Sequence, residues 1–108
     1  MIYPHSVDII RAASSTDAYG DPTLDWDTAT TTSEVPAWVQ PRTTSEVTGG
    51  RSAVLTEWMA FLPPETDVAA HDRLRWEGRL YDVDGDPAYL WNPSGPHHVE
   101  VPLTRITG

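Results

Sequence analysis

The chain has 108 residues, a formal net charge of −9 and neither cysteine nor lysine. The absence of cysteine excludes disulfides and zinc–thiolate sites, and the acidic balance argues against a protein that wraps a nucleic-acid backbone. Residues 1–5 lack the pattern of a signal peptide, and no apolar run approaches the ~20 residues that span a bilayer. We therefore expect one soluble domain over residues 1–108, made in the cytoplasm, with one modest core and no membrane partner.

The first 50 residues predict few regular elements. Alternating apolar side chains predict a strand over residues 6–13. Residues 14–36 are polar and read as a long loop, with at most a short strand over 24–28. A short strand follows over 37–41, and a second polar loop over 42–50 ends in two glycines.

The longest predicted strand covers residues 51–62, and it is apolar on both faces. Leu55, Met59 and Phe61 lie on one face. The opposite face carries Trp58 among other apolar side chains, so we expect both sides to be covered, within the fold or at a subunit contact. Residues 66–71 predict a short connection, with at most one helical turn.

A β-hairpin is predicted over residues 72–87. Leu74 and Trp76 alternate with charged residues, and Gly78 supplies the turn. A loop over 89–96 and an alternating strand over 99–103 complete the chain. Short strands separated by turn signals predict an all-β fold, a small β-barrel of about six strands with long loops.

Five tryptophans are many for so short a chain. Trp38, Trp58 and Trp76 fall on predicted strands and are expected in the core. Trp26 and Trp91 fall in predicted loops, where a tryptophan either covers the core or anchors an interface. The apolar strand and the two loop positions make Trp26, Trp58 and Trp91 candidates for a subunit interface.

The chain offers no constellation for catalysis or metal binding. A calcium loop starting at Asp82 would place prolines where glycine and glutamate are required. His97 and His98 are adjacent on a strand, so their side chains are expected on opposite faces. No nucleophile elbow, phosphate-binding glycine loop or carboxylate pair with a positioned base is present. We expect no enzymatic activity, no cofactor and no metal.

The order of the pieces resembles the head-to-tail stopper proteins of long-tailed bacteriophages, also called head completion or head closure proteins, and especially those of actinobacterial phages. The likeness rests on five segments in order and covers nearly the whole chain: Asp17–Trp26, Val39–Arg42, the strand ending Phe61–Pro64, the hairpin Trp76–Gly85 and the closing strand Val99–Leu103.

The resemblance implies a small β-barrel that forms a homo-oligomeric ring in the virion neck, of six copies or, as second choice, twelve. A portal or adaptor ring would lie above it and the tail terminator ring below, and DNA would pass through the lumen without specific binding. It also implies a loop that projects into the channel and helps to retain the DNA. By position, that loop consists of Thr43, Thr44, Ser45, Glu46, Val47, Thr48, Gly49 and Gly50.

Two other functions are compatible with the sequence. A tail terminator or tail completion ring is generally a larger α+β protein, so helices would favour it. A small β-barrel that binds a peptide or sugar would use Trp26 and Trp91 as platforms, in a concave aromatic pocket.

Overall fold

The structure is a computed structural model, and it describes residues 2–48 and 51–106, without the side chains of 43–48 and 51–56. The described chain forms seven antiparallel strands and no helix. In chain order they are β1 (His5–Thr16), β2 (Pro22–Thr48), β3 (Arg51–Leu62), β4 (Arg73–Trp76), β5 (Arg79–Val83), β6 (Ala88–Asn92) and β7 (Gly95–Arg105). No helix of the described residues is long and apolar enough to cross a bilayer.

Six of the strands close into a barrel. The hydrogen-bonded order runs β3-β2-β1-β4-β5-β7, and pairing of β3 with β7 completes the ring. The seventh strand, β6, extends the sheet beside the first half of β7. The predicted all-β small barrel is thus confirmed.

The barrel interior is filled by aliphatic side chains from all six closing strands. Leu62, Leu74, Tyr81, Val99 and Val101 are fully buried within it. The rings of Trp58 and Trp76 are half-buried and pack against this cluster, as expected. Trp38 was expected in the core, and that prediction is wrong: it points outward from β2 and is 39% exposed.

The predicted hairpin is present as β4 and β5. Its two-residue turn has positive φ at both Glu77 (50°) and Gly78 (74°), as in a type I′ turn. Leu74 faces Tyr81 across the pair, and both are fully buried. The alternation of the sequence therefore identified both the pairing and the inward face.

Three predicted loops are instead strands. Most of residues 14–36 belong to β1 and β2, residues 42–48 continue β2, and residues 88–92 form β6. The polar character of residues 14–34 suggested a loop because most of these residues are exposed to water in the barrel surface strands. Residues 63–72 contain no helical turn and cross from β3 to β4.

Candidate functional site

A two-stranded ribbon, here called the arm, consists of residues 42–48 of β2 and 51–57 of β3. Its register runs from Arg42 opposite Glu57 to Thr48 opposite Arg51. The pairing of β3 with β7 begins at Trp58, so within the described residues no third strand supports the arm. Seven residues per strand give the arm a length of roughly 20 Å.

The arm contains the residues that the resemblance assigned to a channel loop. Thr43, Thr44, Ser45, Glu46, Val47 and Thr48 lie on β2, so the prediction that they form a loop is wrong. Gly49 and Gly50 lie outside the described residues. The strand is favoured by threonine and valine, whose branched side chains suit extended backbone.

Trp58 lies where the arm joins the barrel. Its ring is 5.7 Å from that of Tyr81 and 6.0 Å from that of Trp76, with the planes steeply inclined. His5 packs on the other side of Trp76 at 4.9 Å. Much of the Trp58 ring therefore contacts residues of its own chain, although Trp58 is a candidate for the subunit interface. These contacts hold the base of the arm against the barrel.

Trp26 is on β2 and not in a loop, so its predicted location is wrong. The register between β1 and β2 shifts from Arg11 opposite Thr30 to Ala13 opposite Asp25, which leaves Trp26 in a bulge. The bulge redirects the indole. The guanidinium carbon of Arg73 lies 3.9 Å from the centre of its ring, and Arg73 also bonds Asp82 at 3.2 Å. One face of this interface candidate is therefore covered by its own chain.

Trp91 is also on a strand, β6, contrary to the loop prediction. It is 72% exposed and is the most exposed tryptophan of the described chain. Its neighbour Tyr89 is anchored, because the Tyr89 hydroxyl donates to the Val68 carbonyl oxygen at 2.9 Å. Of the three interface candidates, Trp91 offers the most free apolar surface.

The turn between β1 and β2 presents a second exposed aromatic side chain that the sequence reasoning did not single out. One oxygen of the Asp17 carboxylate accepts hydrogen bonds from the backbone N–H groups of Tyr19 (2.8 Å) and Asp21 (3.0 Å). Gly20, at φ 85°, completes the turn. Tyr19 is 91% exposed at its apex. The Asp–x–x–Gly–Asp pattern is the signal from which such a turn could have been found.

A buried carboxylate fastens residues 63–72 to the barrel. Asp72 is 3% exposed and accepts from Arg11 Nε at 3.0 Å and Arg11 Nη2 at 2.9 Å. It also accepts from the Ala69 backbone N–H at 2.9 Å. The exposed Asp67 binds the same guanidinium at 3.1 Å. The hydrogen bonds that Arg11 donates to Asp72 and then to Asp67 raise its pKa above the ordinary value, so the guanidinium is charged.

Two surface grooves among the described residues have no tryptophan in their lining. One, of about 340 Å³, lies beside Arg11, Leu24 and His71, and another, of about 320 Å³, beside Arg79 and Arg105. The concave aromatic pocket that would favour a peptide- or sugar-binding module is not found at these grooves.

The side-chain arrangement of the adjacent His97 and His98 differs from the prediction. His97 Nδ1 and His98 Nδ1 lie 2.6 Å apart, so the rings meet and do not point to opposite faces. A bulge between β6 and β7 near this point breaks the strict alternation of side chains. His98 Nε2 also bonds Glu100 at 3.2 Å. Among the described residues, no group of three or more potential ligands is placed to hold a metal ion.

Comparison with known proteins gives a consistent result. The fold is similar to that of the phage-like element PBSX protein xkdH from Bacillus subtilis, with a TM-score of 0.53 and 20% identity over 94% of this chain and 92% of that one. It is also similar to a chain in the virion of a native gene transfer agent particle, with a TM-score of 0.58 and 16% identity over 94% of both chains. No curated protein sequence matches.

A comparison of the sequence with models of protein families identifies the family. The model of the phage head completion protein family matches residues 3–100, which is nearly the whole chain. This match agrees with the resemblance carried by the ordered segments of the sequence, and the fold is similar to those of the two solved structures. The chain belongs to the phage head completion protein family and is a structural protein of the virion's head–tail region.

Proposed function

We propose that the protein acts as a stopper in the phage neck: a ring of six or twelve copies between the portal or adaptor ring and the tail terminator ring. The ring would narrow the DNA channel after packaging and offer the surface on which the tail docks. Family membership supports a place at the head–tail junction. The arm is the observation that carries the finer proposal.

The arm has the form that a channel element requires. It extends roughly 20 Å beyond the last three-stranded part of the barrel wall. The radius of gyration is 15.9 Å, whereas a compact chain of this length has about 13 Å, which is consistent with ribbons that extend from the barrel. A projecting ribbon in a ring of barrels can reach the ring axis.

The charges of the arm suit a surface past which DNA slides. Its two arginines, Arg42 and Arg51, are balanced by Glu46 and Glu57, and the whole chain carries −9. Each additional arginine or lysine on phosphate would add affinity through counterion release and retard ejection. A neutral arm on an acidic protein narrows a channel without binding the DNA tightly.

The register of the arm defines a clean test. Replacing residues 45–54 by Asn-Gly joins Thr44 to Leu55, which already face each other, through a two-residue turn. The matched control replaces residues 15–23 by Asn-Gly and joins Ser14 to Leu24 in the same way. Both variants should fold, because each keeps the barrel and shortens only a two-stranded ribbon.

Phage carrying the shortened arm should fill their capsids but lose DNA before the tail joins, or join tails poorly. Phage carrying the control should retain DNA. Normal DNA retention and tail joining with the shortened arm would contradict the channel role. Equal loss in both variants would mean that shortening either ribbon disturbs assembly in general, and the channel assignment would again be withdrawn.

A further inference from the structure

The outer side of the β2–β3 wall carries aromatic side chains where these strands form the barrel wall. Trp38 and Phe61 face each other in the register of β2 and β3, with ring centres 5.4 Å apart. Gln40 and the half-buried Met59 form the next outward pair. We call these four residues the aromatic face. Strand β3 is therefore apolar toward the core and apolar toward the outside.

The aromatic face continues onto the added strand. Phe61 lies 5.8 Å from the ring of His98, and His98 faces Leu90 of β6, which is 37% exposed. Strand β6 carries no charged side chain, and within the described residues its only hydrogen-bonded neighbour is β7. Natural edge strands are usually guarded by charge, proline or a covering element. An unguarded edge beside an aromatic face indicates a surface that is covered in the assembled state.

The charge of the chain limits what can cover this surface. Two copies that each carry −9 repel one another, so they associate only through faces of low or complementary charge. The one carboxylate beside the aromatic rings, on Glu100, is engaged by His98 at 3.2 Å. The face is therefore largely apolar, with the Glu100 carboxylate at its margin held by a contact to His98.

The opposite side of the barrel supplies a complementary surface. Strand β4 is three strands from β3 in either direction around the six-stranded ring. Its outward side chains are Arg73 and Arg75, which we call the arginine face. Arg73 is already held by Trp26 and Asp82. Arg75 is 48% exposed, and its nearest carboxylate, on Asp8, is 3.6 Å away, too far for a good hydrogen bond.

We propose that the aromatic face of one copy packs against the arginine face of the next copy. The guanidinium of Arg75 would stack on the exposed indole of Trp38, an arrangement that arginine and tryptophan favour. Two different patches on opposite sides of a barrel give a head-to-tail contact, which closes into a ring when the rotation between copies allows it. This inference rests on the proposed ring and names the surfaces that would build it.

The absence of cysteine makes the contact testable by cross-linking. Gln40→Cys and Leu80→Cys, the latter opposite Arg75 in the register of β4 and β5, place one thiol at each face, keep Arg75 and leave no other thiol in the chain. Assembled particles carrying one or both changes would be treated with a bismaleimide. The double variant should give a ladder of covalent multimers up to the ring size, and neither single variant should give any. A control pair combines Gln40→Cys with Ala18→Cys, at the exposed β1–β2 turn, and should not give a ladder.

Any of three other cross-linking results would overturn the inference. A dimer from a single variant would show a symmetric contact of one face with itself. A ladder from the control pair alone would show that the ring uses other surfaces. A cross-link to a different virion protein would assign the face to that partner. In these cases the stopper role still stands, because it is tested separately by DNA retention and tail joining in phage that carry the shortened arm.

A substitution provides a second readout. Trp38→Ala should reduce the ladder of the double variant at least tenfold while leaving the thermal midpoint of the isolated protein within a few degrees, because Trp38 lies outside the core. Tyr19→Ala, which removes an exposed aromatic side chain away from both faces, is the matched control. An undiminished ladder with Trp38→Ala would contradict the proposed packing.

Discussion

Removing the Asp72 carboxylate should destabilise the barrel far more than removing Asp67, although both bind the same arginine. Asp72→Ala abolishes two hydrogen bonds from Arg11 and one from the Ala69 backbone N–H. A hydrogen bond to a charged group contributes about 1.5–3 kcal/mol, and Ala69 is exposed, so its N–H regains water when Asp72 is removed. Arg11 is 41% exposed and regains water, which offsets part of this loss. We expect about 3 kcal/mol.

Asp67→Ala is the control for the same arginine. Asp67 is 84% exposed, and an exposed ion pair contributes at most about 1 kcal/mol. The assay is urea unfolding of the purified protein, followed by tryptophan fluorescence at neutral pH. Equal losses for the two variants, or a loss below about 1 kcal/mol for Asp72→Ala, would refute the conclusion that the buried carboxylate fastens residues 63–72 to the barrel.

Three further substitutions test individual packing and turn arguments. Tyr81→Phe should leave the free energy of unfolding unchanged or raise it by up to about 2 kcal/mol, because within the described residues the buried Tyr81 hydroxyl has no hydrogen-bond partner. A decrease of more than about 1 kcal/mol in the free energy of unfolding, measured by urea denaturation, would contradict this. Trp76→Ala should lower the free energy of unfolding by about 3 kcal/mol, since its ring packs against His5 and Trp58. A decrease of less than about 1 kcal/mol would show that the ring does not support the core. Glu77→Asn should raise the thermal midpoint, because asparagine tolerates the positive φ of a type I′ turn better than glutamate does; a lower midpoint would argue against that turn assignment.

The fold class was predictable because the barrel strands obey simple alternation. Leu74 and Tyr81 point inward as the period of two requires, and Gly78 marks the turn. The long β2 strand was not predictable in the same way. Its threonine-rich part favours extended backbone, but it pairs in a ribbon exposed on both faces, so no apolar period marks it.

The candidate site was predicted in position but not in form. Residues 42–50 were predicted as a loop because polar residues such as Thr43 and Ser45 show no apolar period, whereas residues 42–48 form a strand of the arm. Trp38 was misplaced because alternation gives the two sides of a strand without saying which side faces the core. The ion pair of Arg11 with Asp72 joins residues 61 positions apart, and no local pattern reports such a contact.

The most direct test of the account is an image of the assembled neck at a resolution that traces the backbone. The account predicts a closed ring of six or twelve copies between the portal or adaptor ring and the tail, with residues 42–57 of each copy directed toward the central channel. A single copy per particle, or a ring in which these residues lie on the outer rim away from the DNA, would contradict it.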